Sequence, residues 1–263
     1  MKPTSPSLHP SAAIGFVQGA GSYVRGRPGY PAELSGWLRA ALQLQAGKTA
    51  LDLGAGTGKF LPVLLATGAA AIAVEPVAAM RERLAAEYPQ VRAVDGSAET
   101  TGLADAAVDA VVCATAFHWF ATRAALDEIH RVLRPGGWLG LVWNVRDERV
   151  PWVARLGALV NAFQRDTPRQ ASGDWRRVFP HAGFAPLQQS EFVHEHRGPA
   201  DIVVLERVLS TSFIAALPQG QRAQVQQAVA QFIASEAELA GKAEVAVPYR
   251  CMAYAAQRIG GAG

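Results

Sequence analysis

The chain has 263 residues, of which half are hydrophobic and 18% charged, with 25 Lys+Arg against 22 Asp+Glu and a formal net charge of +3. That is the balance of an ordinary globular protein with enough length to bury a sizeable core. A pI near 9.1 spread along the chain without a basic run does not imply a nucleic-acid partner.

Two cysteines, Cys113 and Cys251, do not make a disulfide framework, and Cys113 falls inside an apolar run where a small buried thiol fits. The opening stretch Met1-Lys2-Pro3-Thr4-Ser5-Pro6-Ser7 lacks the apolar centre of a signal peptide. No apolar run reaches the length of about 18 residues that a membrane span needs; Pro62 and Gly68 split the nearest one, 61–74. These features place the expected protein in the cytoplasm, away from membranes.

In chain order, residues 1–13 read as a mobile N-terminus and 14–257 as one domain, divided into a lid and helix (14–46), a core (47–144) and an acceptor-side portion (145–257), with 258–263 as a tail. The stretch 16–31 is glycine-rich, aromatic and basic without periodicity, the pattern of a structured loop or lid. Leu34, Trp37, Leu38, Ala41 and Leu42 then repeat at helical spacing. Strand-like runs follow at 48–53, 69–75, 91–94, 108–115 and 137–143, with helical stretches at 58–67, 77–88 and 122–133. Apolar strands interleaved with helices predict an α/β, doubly wound parallel sheet. Arg134-Pro135-Gly136-Gly137 reads as punctuation between a helix and the next strand. Beyond Val145 the spacing predicts helices at 152–163, 203–217 and 221–237, inserted around two late strands at 187–196 and 245–256 that would pair like a hairpin.

The chemistry concentrates in Asp52-Leu53-Gly54-Ala55-Gly56-Thr57-Gly58-Lys59, between the first strand and a helix. Glycines there permit positive φ and let a ligand lie against the main chain at a helix N-terminus. Asp52 is placed either to fix the loop by accepting backbone N–H groups or to hold a ligand ammonium. Glu75, at the tip of the second strand, is positioned to accept both hydroxyls of a ribose. Lys59 occupies the third-glycine position of the dinucleotide fingerprint, and a nearby Tyr-x-x-x-Lys pair is missing, which argues against the alternative of a nicotinamide-dependent oxidoreductase.

Five pieces occur in order: the glycine turn, Val74-Glu75-Pro76, Asp95-Gly96-Ser97-Ala98-Glu99, Ala116-Phe117-His118-Trp119-Phe120, and 128–137. Together they resemble the class I S-adenosylmethionine-dependent methyltransferases. Phe16, Ala20, Tyr23, Arg27, Pro28, Tyr30 and Pro31, with Pro248-Tyr249-Arg250, are similar to the small-molecule branch that includes trans-aconitate methyltransferases. The resemblance implies a Rossmann-like seven-stranded sheet with its last strand antiparallel, and S-adenosyl-L-methionine as cofactor. It implies that Asp52, Gly54, Ala55, Gly56 and Gly58 hold the amino-acid part, Glu75 and Pro76 the ribose, and Ser97, Ala98 and Glu99 the adenine. Ser97 stands where many relatives carry aspartate. Thr115 and Ala116 follow the strand that ends beside the sulfonium.

Methyl transfer from a sulfonium needs positioning more than activation, so neither a nucleophilic side chain nor a metal is required. His118 is the candidate general base where the acceptor must lose a proton. Phe117 and Trp119 are candidates for the acceptor wall, with Phe117 better suited to the core than to the pocket. Tyr23 and Arg27 from the lid are assigned to cofactor or substrate carboxylates, and Trp143, Arg146 and Tyr249 to the acceptor. The expected activity is methylation of an oxygen, less readily a nitrogen or carbon, of a small and in one reading acidic metabolite. The alternative within the same fold is a binding protein without transfer activity. The Asn/Asp-Pro-Pro-Tyr/Phe motif of nucleic-acid amino-methyltransferases is absent after the fourth strand, which disfavours a nucleic-acid acceptor.

Overall fold

The computed structural model describes residues 26–164 and 167–260. Its elements are α1 (Glu33–Leu42), β1 (Thr49–Leu53), α2 (Leu61–Leu65), β2 (Ala70–Val74), α3 (Ala78–Glu87), β3 (Arg92–Val94), β4 (Val108–Ala114), α4 (Arg123–Val132), β5 (Leu133–Arg146), α5 (Pro151–Asn161), β6 (Gln188–Gly198), α6 (Gln219–Ser235) and β7 (Val245–Gln257). The seven strands form one sheet in the order β3-β2-β1-β4-β5-β7-β6, mostly parallel with the last strand antiparallel. β1 pairs in parallel with both β2 and β4, so its carboxyl end lies at the sheet's centre, where the strand order reverses. In such sheets ligands bind at that position.

Residues 30–143, 168–192 and 251–260 form one compact unit. Its core joins Leu34, Leu38 and Leu42 of α1 to Leu61 and Leu64 of α2, Ala110 and Val112 of β4, and Cys251 and Ala253 of β7. Both cysteines are buried and free. The second unit contains 26–29, 144–164, 167 and 193–250. Trp152, Val153, Leu156 and Val160 of α5 meet Val225 and Val229 of α6 and Val245, Val247 and Tyr249 of β7 there. No described helix is long and apolar enough to cross a membrane.

Three elements depart from expectation for local reasons. The expected helix 58–67 shrinks to Leu61–Leu65 because the glycine turn runs on to Gly58, and Gly68 closes the other end at φ +88°. The expected helix 203–217 is divided into a π-helical turn Asp201–Glu206, a short turn Arg207–Leu209 and another at Ser212–Ala215. Ser210 Oγ donates to the Arg207 carbonyl at 2.9 Å, a side-chain bond that competes with helical continuation.

The third departure is in β5. Residues 134–137 do end the preceding helix, whose start is capped by Thr122 Oγ1 accepting from the Ala125 amide at 3.1 Å, but they form a bulge inside the strand. Leu133 already pairs with Val108, and the ladder resumes with Trp138 opposite Ala110. A Cβ on Gly137 would lie 2.8 Å from the Asp109 carbonyl oxygen and 2.9 Å from that of Arg134, and neither backbone atom can give way cheaply. Gly137→Ala is therefore expected to destabilise the protein by about 1–3 kcal/mol in urea unfolding, as overpacking does; an unchanged midpoint would show that the bulge relaxes freely.

Candidate functional site

The glycine turn is tied to the second strand rather than to itself alone. The amides of Gly54 and Ala55 both donate to the Val74 carbonyl, at 2.9 and 3.2 Å. Gly54, Gly56 and Gly58 all have positive φ, +73°, +58° and +83°. Each glycine meets a different surrounding. A Cβ on Gly54 would lie 2.8 Å from Ala116 Cβ, and one on Gly58 would lie 2.9 Å from Tyr88 Cε2, so both are packed against protein. At Gly56 the nearest atom would be Met80 Sδ at 4.0 Å, which leaves open space beside the main chain.

Glu75 closes the turn. Its Oε2 accepts from the Gly56 amide at 2.8 Å and its Oε1 from the Val77 amide at 2.9 Å. Arg81 donates to the Glu75 carbonyl at 2.7 Å and pairs with Asp95 at 3.1 Å, which links the ends of β2 and β3. Burial raises the Glu75 pKa above the ordinary carboxyl value, opposed by the two amides and Arg81. Pro76 continues the chain from this clamp.

Asp52 is the unusual group. It is completely buried, and neither carboxylate oxygen has a hydrogen-bond partner among the described residues. Of its two expected roles, the one in which it accepts from the loop's amides is not adopted. Burial, and then the charge of Glu75, push its pKa up to about 7. Thr57 Oγ1 is likewise buried without a partner among the described residues. An orphaned carboxylate, an orphaned hydroxyl and open space over Gly56 fit a polar ligand bearing an ammonium group.

After β3, the Ser97 amide donates to the Thr100 carbonyl at 3.0 Å, forming a turn in which Ala98 is buried and Ser97 and Glu99 are half-buried. Glu128 on α4 anchors its base: Oε1 accepts from the Thr101 amide at 2.8 Å and from Thr101 Oγ1 at 2.6 Å. After β4, Thr115 adopts φ +54°, rare for a β-branched residue. Its amide still donates to the Val142 carbonyl at 2.6 Å, and its Oγ1 lies 2.9 Å from Tyr30 Oη. That bend sends Ala116 against Gly54 and opens the short turn Phe117–Trp119.

Phe117 is wholly buried, in contact with Phe120, Trp175 and Phe179, which gives it a core role. His118 is half-buried beside Trp119, and its Nδ1 accepts from Trp143 Nε1 at 3.0 Å. An indole N–H only donates, so Nδ1 carries the lone pair and the neutral ring holds its proton on Nε2. Trp143 also stacks on Trp175, with ring centroids 4.6 Å apart, and meets Tyr254 at 5.9 Å. Arg176 caps Trp175 at 4.5 Å. The sequence reading missed Trp175; its only signal there was an aromatic residue among the charges of Asp174-Trp175-Arg176-Arg177.

In the second unit, Arg27 Nη2 donates to the Ser210 carbonyl at 3.1 Å. Arg146 is half-buried near the end of β5 and Tyr249 is fully buried in β7. Tyr23 and the expected lid residues 14–25 lie outside the described residues.

A strand, a glycine turn and an acid at the next strand's tip define an α/β protein built to bind a nucleoside-bearing ligand. Residues 51–141 match a family model described as a methyltransferase domain. An uncharacterized methyltransferase of Mycobacterium bovis is 38% identical over 90% of this chain and 93% of its own length. A methyltransferase-like protein of Schizosaccharomyces pombe is 32% identical over 92% and 95%. Among solved structures, one from Anaeromyxobacter dehalogenans described as a type II methyltransferase superposes with a TM-score of 0.65 at 25% identity, covering 88% of this chain and 96% of that one. The chain belongs to the class I S-adenosylmethionine-dependent methyltransferases.

The titration of Asp52 has a measurable consequence. In the unfolded chain its carboxyl ionises near pH ~4. From there to about 7 the folded protein holds a proton that the unfolded chain has released, so stability falls as pH rises through that window. Asp52→Asn abolishes this titration, and from about pH 5 to about pH 8 the variant should gain about 3 kcal/mol relative to wild type in urea unfolding. A gap that does not change with pH would show that Asp52 ionises normally.

Proposed function

We propose that this protein transfers the methyl group of S-adenosylmethionine to an oxygen, ahead of a nitrogen or carbon, of a small metabolite in the cytoplasm. The observation that carries the reading is the fully buried, partnerless carboxylate of Asp52 beside the open backbone of Gly56. An isolated buried carboxylate is costly unless a partner neutralises it. The ammonium of the cofactor's amino-acid part is a partner of the right charge, and the family supplies it.

When bound, S-adenosylmethionine supplies a methyl group on a positive sulfur whose departure needs no protonation. The residues of this chain bind and orient. Asp52 and the backbone of Gly54, Ala55, Gly56 and Gly58 receive the amino-acid part. Glu75 retains acceptor capacity for ribose hydroxyls, since each carboxylate oxygen has two lone pairs and only one amide apiece. Ser97, Ala98 and Glu99 face the adenine, and Pro76, Thr115 and Ala116 complete the surround.

His118 takes a narrower role than general base. Its Nδ1 lone pair accepts from Trp143, so in the neutral ring the proton is on Nε2, the atom that would face an acceptor oxygen if the ring positions it. An acceptor already ionised, such as a carboxylate or phenolate, requires no base. Trp119 is assigned to another contact with the acceptor. The narrower likeness to trans-aconitate methyltransferases rests on 16–31 and on Pro248-Tyr249-Arg250 alone.

Calorimetric titration with S-adenosylmethionine and S-adenosylhomocysteine tests the cofactor, and micromolar binding of both is the expected result. Glu75→Ala should weaken S-adenosylhomocysteine by about 1–3 kcal/mol through loss of charge-assisted bonds. Full affinity in that variant would remove Glu75 from the site. For transfer, a panel of carboxylic acids, phenols and amines with methyl-labelled cofactor supplies the assay. His118→Gln, which keeps a donor, should retain more turnover than His118→Ala. Equal collapse of both would restore the base role.

A further inference from the structure

Beyond the cofactor turn, the second unit contains a set of polar groups gathered on one face of the sheet. β5 and the antiparallel β7 are neighbours, and the Asp147 amide donates to the Pro248 carbonyl at 2.9 Å. Antiparallel bonds of this kind join residues directly opposite each other. One residue further along each strand, Arg146 therefore faces Tyr249 on the same side of the sheet, within reach of its side chain. His194 and His196 flank the same tyrosine from β6, with ring centroids 5.7 and 6.4 Å from it. Asn144 donates to the Gly29 carbonyl at 2.8 Å, which leaves its Oδ1 to accept from His194 Nε2 at 3.0 Å.

Tyr249 is wholly buried and its hydroxyl has no hydrogen-bond partner among the described residues. A buried hydroxyl left unsatisfied costs about 1–3 kcal/mol, so phenylalanine would serve the fold better. β6 alternates, with Glu191, Glu195 and Arg197 exposed on one side and His194 and His196 on the other. Asp147 is held below its usual carboxylate range by Arg149, whose Nε and Nη2 both donate to it at 2.7 Å. Arg146, with its Nη1 buried, brings a guanidinium to the side Tyr249 occupies.

We propose that Arg146 and Tyr249, supported by His194, His196 and Asn144, form an oxyanion subsite that takes a carboxylate or phosphate. The guanidinium supplies charge-assisted donors and the phenol a neutral one, with the two imidazoles fixing the phenol ring. Binding of the anion does not rest on the methyl-transfer reading above.

The test uses the full chain and two probes, succinate and glycerol phosphate, followed by thermal shift and calorimetry with and without S-adenosylhomocysteine. Wild type is expected to be stabilised by one or both, and the responding probe identifies the oxyanion. Arg146→Gln should weaken that response about tenfold or more. Tyr249→Phe should leave the anion-free melting midpoint unchanged or higher, because it deletes only an unsatisfied hydroxyl, and should weaken anion binding several-fold. Both variants should bind S-adenosylhomocysteine within twofold of wild type. No response to either probe, or an equal response in wild type and Arg146→Gln, overturns the subsite. Anion binding without S-adenosylhomocysteine binding would instead overturn the methyltransferase reading and leave the subsite standing.

Discussion

The arrangement of the glycine turn depends on the carboxylate of Glu75. By accepting one amide from Gly56 and one from Val77, it fastens the loop after β1 to the loop after β2, and Arg81 extends the connection to the end of β3. Three strand ends are thereby fixed relative to one another. The amides of Gly54, Ala55 and Gly56 are taken by Val74 and Glu75, and Asp52 stays buried with no hydrogen-bond partner among the described residues. The cost of that carboxylate is borne by the packed core around it, which is how strained or desolvated groups persist at functional sites. A ligand that neutralises Asp52 recovers part of that cost on binding.

A second constraint orients the chemistry after β4. The left-handed Thr115 turns the chain sharply, and the indole of Trp143 then fixes the ring of His118. Trp143 is itself held by Trp175 and Tyr254, so the imidazole's direction depends on an aromatic stack built from distant parts of the sequence. Rigid support of this kind suits a reaction governed by alignment.

The strands β1, β2, β4 and the later part of β5 were legible as apolar runs, and the glycine turn because its three glycines lie between two such patterns. Glu75 was legible from its place at the tip of β2. What escaped depended on tertiary partners. The tetrad 134–137 has the same chemistry whether it ends a strand or bulges within one, and only the pairing of Leu133 with Val108 decides between them. The break near Ser210 comes from a hydroxyl competing for a backbone carbonyl, which apolar periodicity does not register. Trp175 sits among charges and gains its meaning from Trp143. His118 was visible as a residue type, but its proton's location depends on an indole 25 positions away.

Cys113, in the strand that ends in Thr115, is fully buried, and burial together with the charge of Asp52 holds its thiol pKa well above the ordinary value. The reagent of this family is an alkylating agent, and a thiolate is among the strongest biological nucleophiles toward such a carbon. Kept protonated, Cys113 is no rival to the intended acceptor. Burial is the larger of the two causes, and Asp52 adds to it, so the acid at the glycine turn also helps to keep its neighbouring thiol protonated.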